Sequence, residues 1–158
     1  MALLTDFMNF TSGRPLTFFE GGDSGLAHTA MDAPYCPAMG RKILELAHAR
    51  SLAIKPDAVY VATNGPRFET PAEIRMYDRL GGDVVGMTGV PEIVLARELG
   101  MHFAAVAYSV NWCSGIMDVL ELHEDDMIET RQNLARLLVD VLREMPEPDC
   151  RCADAVMV

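Results

Sequence analysis

Residues 58–92, AVYVATNGPRFETPAEIRMYDRLGGDVVGMTGVPE, carry the alternation that decides the fold. Ala58 to Ala62 is a short apolar run suited to a strand buried on both faces. Thr70 then stands as an N-cap, and Pro71 to Leu80 reads as a helix with proline in its first turn. Asp83 to Gly86 predicts a second strand and Pro91 to Leu99 a second helix. Strands separated by helical segments in this way are expected to lie parallel, because a parallel pair needs a long crossover connection.

The same alternation extends outward. Ala2 to Phe10 is apolar enough for one strand, and His102 to Val110, HFAAVAYSV, is an almost continuous apolar run suited to a central one. Ala38 to Ser51 sets Ile43, Leu44, Leu46 and Ala47 at helical spacing before Pro56 breaks the pattern, and His123 to Glu144 predicts a long amphipathic helix ended by Pro146. Between Thr11 and Pro37 the clusters SGRP, EGGDSG and MDAPYCP predict loops with little regular structure. The expected fold is α/β: a three-layer sandwich with a mostly parallel central sheet, one domain over residues 1–158, and a ligand site at the carboxyl ends of the strands.

Composition narrows the function. Half of the 158 residues are apolar, enough for one hydrophobic core. The net charge of -10 would repel a nucleic-acid backbone, so no such partner is expected. No apolar run approaches the roughly 18 residues of a membrane span, and MALLTDFMNF lacks the basic region of a secretory signal, so a cytoplasmic protein is expected. Cys36, Cys113, Cys150 and Cys152 match neither a paired zinc signature nor a disulfide framework. The tail CxC has no His or second Cys pair beside it in the sequence, so the thiols read as ordinary and no metal ligand is expected. Most of the 11 methionines read as adaptable core filling.

Three loops could carry chemistry. In NGPRFETPAE, Asn64 to Glu73, Phe68 offers a flat apolar face and Glu69 a carboxylate that can accept from a heterocyclic N–H; otherwise Glu69 is a solvated charge near the first helical turn. In GMTGVPE, Gly86 to Glu92, the Thr88 hydroxyl and outward-facing backbone N–H groups could meet an anion, or Thr88 could simply cap the helix. In SVNWCSG, Ser109 to Gly115, the Asn111 amide can donate and accept at once, as a purine edge requires, or serve as a turn residue.

Taken together, GPRFETPAEIRM, GGDVVGMTGVPEIVLARELG and the strand leading to SVNW resemble, in order and spacing, the trimeric purine nucleoside and methylthioadenosine phosphorylases. DFMNFTSGRP and PYCP, Pro34 to Pro37, resemble further stretches of that family, and the likeness runs to about Ile116 before fading through the last helix and the tail. The resemblance implies phosphorolysis of a purine nucleoside to free base and sugar 1-phosphate, a glycosyl transfer with inorganic phosphate as co-substrate and no cofactor. Negative charge grows on the departing purine, and the resemblance places Asn111 as the catalytic donor to its imidazole ring. It places Glu69 as acceptor from the pyrimidine-ring N–H, Phe68 stacked on the base, Met87 under the ribose and Thr88 on the phosphate. His28 resembles a residue that reaches the sugar pocket of a neighbouring subunit, and His123 one that meets a 5′-hydroxyl.

Asn111 with Glu69 fits the carbonyl and ring N–H of hypoxanthine or guanine, so inosine, guanosine or methylthioinosine is favoured over methylthioadenosine. A homotrimer or hexamer is implied. Family members also open with a strand and a Gly-rich turn, followed by an Arg and a His that grip phosphate, and this chain contains no such segment. The expectation is therefore a phosphorylase-like domain lacking the opening strands, which a separate chain completes, a truncated gene has lost, or a divergent protein does without, the last two keeping open a noncatalytic purine-binding or subunit-interaction module.

Overall fold

The computed structural model describes residues 1–119, 127–145, 147 and 149–157. His123 and the expected start of the last helix lie outside the described residues. Among the described residues the strands are β1 (Ala2–Leu3), β2 (Asp6–Asn9), β3 (His28–Thr29), β4 (Val59–Ala62), β5 (Val84–Gly86), β6 (Val106–Ala107) and β7 (Val156–Met157). The α-helices are α1 (Pro37–Ala49), α2 (Pro71–Arg79), α3 (Gly89–Glu98) and α4 (Ile128–Glu144).

The central sheet runs β2-β4-β5, all parallel. Its register sets Asn9 beside Ala62 and Ala62 beside Gly86, so three strands finish side by side. At the other end Asp83 bonds β5 to β4: its amide donates to the Val59 carbonyl at 2.9 Å, and its carboxylate accepts from the Val59 amide at 2.8 Å and pairs with Lys55.

Alternation along the strands sorts the helices into layers, as residues two apart must share a face. Tyr60 and Ala62 pack with Ala2, Leu4, Val90 and Ile93, whereas Val61 packs with Ile74 and Tyr77. Leu3 turns the same way as Val61, meeting Ile43 and Leu46 of α1 and Leu134, Leu137 and Val141 of α4. Thus α3 covers one face and α1, α2 and α4 the other, which is the expected three-layer α/β sandwich. Arg50–Asp140 and Lys42–Glu144 ion pairs reinforce the α1–α4 seam at its rim.

Two expectations need correction. The run from Ala2 to Phe10 is not one strand with one partner. Leu4 donates to Ala105 at 2.9 Å on one side, while Leu3 and Thr5 donate to Lys55 and Ala58 on the other, so β1 belongs with β6 and β2 with β4. The apolar run from His102 to Val110 is likewise no central parallel strand. Within it Val106–Ala107 alone is strand, antiparallel to β1, while Phe103 before it gives its carbonyl to the Cys36 amide at 2.7 Å instead of to a strand partner. Apolar content shows burial but cannot assign a backbone partner.

The long loop before α1 contains a 3-10 turn at Gly22–Ser24 and strand β3, which pairs antiparallel with β7. Buried Glu98 of α3 accepts from the Phe18 amide at 2.7 Å and buried Arg97 donates to the Ala30 carbonyl at 3.3 Å, anchoring both parts of that loop. Leu137 is wholly buried between α1 and α4. Leu137→Ala should cost about 2–5 kcal/mol by lost burial and residual cavity. Urea denaturation followed by circular dichroism measures this, and a loss below about 1 kcal/mol would mean that α4 does not depend on this seam.

Candidate functional site

Because β2, β4 and β5 end in register, the loops at residues 10–14, 63–70 and 87–88 leave the sheet from one edge. Hydrogen bonds then tie the loops together. The Asn64 side chain accepts from the Ser12 amide and donates to the Ser12 carbonyl, both at 3.1 Å. Half-buried Arg14 spreads its guanidinium over the carbonyls of Thr63 and Asn64, each at 3.3 Å, and that of Val90. Local sequence pattern gives Arg14 and Asn64 no role; an Arg set between Gly13 and Pro15 in a loop is the available signal.

Glu69 is buried at 9% exposure and is no solvated loop charge. Buried Thr63, one residue past β4, donates its hydroxyl to one Glu69 oxygen at 2.7 Å, orienting the carboxylate and leaving its second oxygen to accept elsewhere. Phe68 is 42% exposed beside it. Half-buried Met87 packs its sulfur against Gly65, where φ is +66° and a Cβ would collide with that sulfur.

The α2 cap fixes this loop from beyond. Thr70 is the N-cap as expected, and Glu73 completes a capping box: its amide donates to the Thr70 hydroxyl at 3.2 Å and its carboxylate accepts from the Thr70 amide at 2.7 Å. Arg67 meets the same carboxylate with two bonds of 2.8 Å and donates to the Phe68 carbonyl at 3.1 Å.

Thr88 is exposed at the N-cap of α3, and its hydroxyl makes no capping bond. The backbone N–H groups expected to face outward do not: those of Thr88 and Gly89 both donate to the Tyr60 hydroxyl at 3.2 Å. A Cβ at Gly86 or Gly89 would lie within 2.5 or 2.9 Å of Tyr60, so the ring fills the space behind this loop. Asn111 is half-buried after β6, its amide donating to the Trp112 carbonyl at 2.8 Å. Its loop reaches the α2 start, where Cys113 packs with Val61, Ile74 and Tyr77 and burial, then the Glu69 charge, push the thiol up. Exposed His28 lies on β3, paired with β7. Two clefts of about 650 and 330 Å³ elsewhere in the chain contain none of these side chains.

A second group of side chains was not foreseen. Cys36 at the N-cap of α1, His102 before β6, and Cys150 and Cys152 of the tail bring four ligand atoms within 4.8 Å of one another. Burial first, then its thiol neighbours, push Cys152 up to about 12. Burial opposes ionisation of Cys150 too, but hydrogen bonding with the Cys152 amide and with the Cys152 and Cys36 thiols outweighs it and lowers that group.

Residues 1–143 match the model of the phosphorylase superfamily. The chain is 43% identical over 155 residues to a probable 6-oxopurine nucleoside phosphorylase of Moorella thermoacetica, covering 96% of this chain and 60% of that protein. It is 41% identical over 161 residues to a probable S-methyl-5′-thioinosine phosphorylase of Methanopyrus kandleri, covering 99% and 61%. A 6-oxopurine nucleoside phosphorylase of Pyrococcus furiosus is 40% identical over 164 residues, with 98% and 62% covered. In structure it is similar to methylthioadenosine phosphorylase from Schistosoma mansoni in complex with tubercidin, at TM-score 0.82 and 24% identity over 90% of this chain and 57% of that one. With an interlocked set of loops at the edge of a parallel sheet and a family match over most of its length, this is an α/β protein of the nucleoside-phosphorylase fold. The chain belongs to the phosphorylase superfamily and spans about 60% of the length of the curated relatives it matches.

The Arg67–Glu73 pair can be checked directly. Hydrogen bonding to Arg67, supported by the Thr70 amide, lowers the Glu73 carboxyl to about 2 from an ordinary 4.5. A carboxyl depressed in the folded state adds stability that is present above pH 4.5 and lost as pH falls through about 2. Arg67 is largely exposed, so salt should screen part of the effect. In Arg67→Ala the Glu73 titration followed by NMR should return toward 4.5; an unmoved titration would remove Arg67 as its main cause.

Proposed function

We propose that this chain supplies the base and ribose pocket of a purine nucleoside phosphorylase acting on 6-oxopurine nucleosides, inosine or guanosine foremost. The observation that carries this reading is Glu69, a buried carboxylate with one oxygen held by Thr63 and the other available at a strand end. A 6-oxopurine presents a protonated ring nitrogen to such an acceptor; adenine presents a lone pair there and would leave the carboxylate desolvated and unmatched. The exposed Phe68 ring offers a stacking face for the base, and Met87 an apolar floor for the sugar.

Phosphorolysis follows from these positions. As phosphate attacks the anomeric carbon, the bond to the purine breaks and electrons flow into its imidazole ring. Asn111 then acts as donor to the ring nitrogen, rotating its amide away from the Trp112 carbonyl to do so. Thr88 gives its hydroxyl to phosphate, and with Tyr60 holding the nearby N–H groups, the hydroxyl is what this loop offers. Names of relatives from Moorella, Pyrococcus and Methanopyrus support a 6-oxopurine or methylthioinosine substrate. His28 and His123 remain proposed sugar-side groups. A trimer or hexamer, part of this reading together with a cytoplasmic setting, agrees with the exposure of Phe18, Leu26, Trp112 and Val119.

Calorimetry on the purified chain should show hypoxanthine binding at least about tenfold more tightly than adenine, with Glu69→Gln reducing that ratio toward one. Equal binding of the two bases by the unaltered chain would sink this account of base selection. In phosphate buffer, hypoxanthine release from inosine tests the transfer step itself; Asn111→Asp should shift turnover toward adenosine, and binding without release would leave this chain a purine-binding module.

A further inference from the structure

We propose that Cys36, His102, Cys150 and Cys152 form a closed tetrahedral site for a divalent zinc-type ion that fastens the C-terminal tail to the start of α1. Zinc at its usual bond lengths to sulfur and imidazole nitrogen requires sulfur–sulfur edges of about 3.8 Å and sulfur–nitrogen edges of about 3.5 Å in a tetrahedron. Cys36 and Cys150 sulfurs are 3.7 Å apart and those of Cys150 and Cys152 3.4 Å. His102 Nδ1 lies 3.6 Å from Cys36 and 3.2 Å from Cys150. Four of the six edges thus stand near the lengths such an ion needs, and the other two lie within 4.8 Å.

The donor set selects the ion class. Three thiols and one imidazole suit a soft to borderline tetrahedral cation, and four protein ligands leave no open position for catalysis. Binding would release the thiol protons to solvent and leave three thiolates. The site tolerates that charge, because Cys36 sits at the N-terminus of α1 and its sulfur already accepts from the Met39 amide at 3.5 Å. A disulfide accounts for the cluster less well: a single S–S bond would leave the third thiol and the imidazole unused, with the buried Cys36 and Cys152 sulfurs both within reach of Cys150.

The surroundings supply what the ion would hold. The Cys36 amide donates to Phe103 at 2.7 Å, Ala30 donates to Ala155 at 2.8 Å, and β7 pairs with β3, so three segments distant in sequence meet at this corner. The apolar packing there is slight, with Ala38, Met39 and Met145 the main neighbours. One ion would add the strongest tie at that point.

Cobalt titration of the full chain, reduced and stripped of metal, tests the site. Uptake of one equivalent with the intense visible bands of tetrahedral thiolate cobalt, bleached by zinc, is the expected result. Zinc affinity measured against a chromophoric chelator should fall by more than about a hundredfold in Cys152→Ser and in His102→Ala, beyond the loss of an outer-shell partner. His102→Cys should still bind cobalt with stronger charge-transfer absorption, and Cys113→Ser should behave as the unaltered chain does. The proposal is overturned if folded, reduced chain takes up no cobalt, if Cys113→Ser weakens zinc as much as Cys152→Ser, or if peptide mapping of freshly isolated chain finds Cys150 joined to Cys36 or Cys152.

Discussion

The loops that carry Asn64, Glu69, Met87 and Thr88 all rest on the register of β4 with its two neighbours. Parallel pairing on both sides sets Asn9, Ala62 and Gly86 level, and three loops must then begin from one line. Loops starting together can share hydrogen bonds, and these do: Asn64 with Ser12, and Arg14 with Thr63, Asn64 and Val90. A shift of one residue in β4 would turn Tyr60 and Ala62 toward α2 and Val61 toward α3. It would also carry Thr63 away from Glu69, so the core and the carboxylate are fixed by the same pairing.

Order within the loops comes from backbone groups satisfied by side chains. Thr70 and Glu73 answer each other's amides, Arg67 locks onto Glu73, and the Phe68 carbonyl is held by Arg67. The carboxylate of Glu69 is thereby placed between a rigid strand end and a rigid helix start. Side chains that must meet a ligand are better placed by such elements than by free loop, since misplacement by an ångström weakens any directed contact.

Periodic features were legible in the sequence and partnerships were not. The apolar run at Ala58, the Thr70–Pro71 start of α2 and the Gly–Met–Thr loop all lie where local rules put them. Loop chemistry singles out Phe68, Glu69 and Thr88, the family resemblance adds Met87, and the fold sets all four in the loops that follow β4 and β5. Local pattern could not show that β1 and β2 lean on different neighbours, nor that Glu69 is buried, since both depend on what arrives from elsewhere in the chain. The Cys36–His102–Cys150–Cys152 group is the extreme case. Its members are 66 and 48 residues apart along the chain, and a reading of local spacing sees only the final CxC.

Tyr60 gives the site a property that no ligand contact would reveal. Two backbone N–H groups that precede the regular turns of α3 are held by a neutral phenol, for Val90 keeps an extended backbone between them and the rest of the helix. Gly86 and Gly89 leave that ring the room it needs, since a Cβ at either would collide with it. What remains outward is the Thr88 hydroxyl, a rotor able to turn toward almost any oxyanion. A hydroxyl that turns this freely would meet phosphate, arsenate and sulfate alike, so the Thr88 side chain by itself offers no means of telling such ions apart.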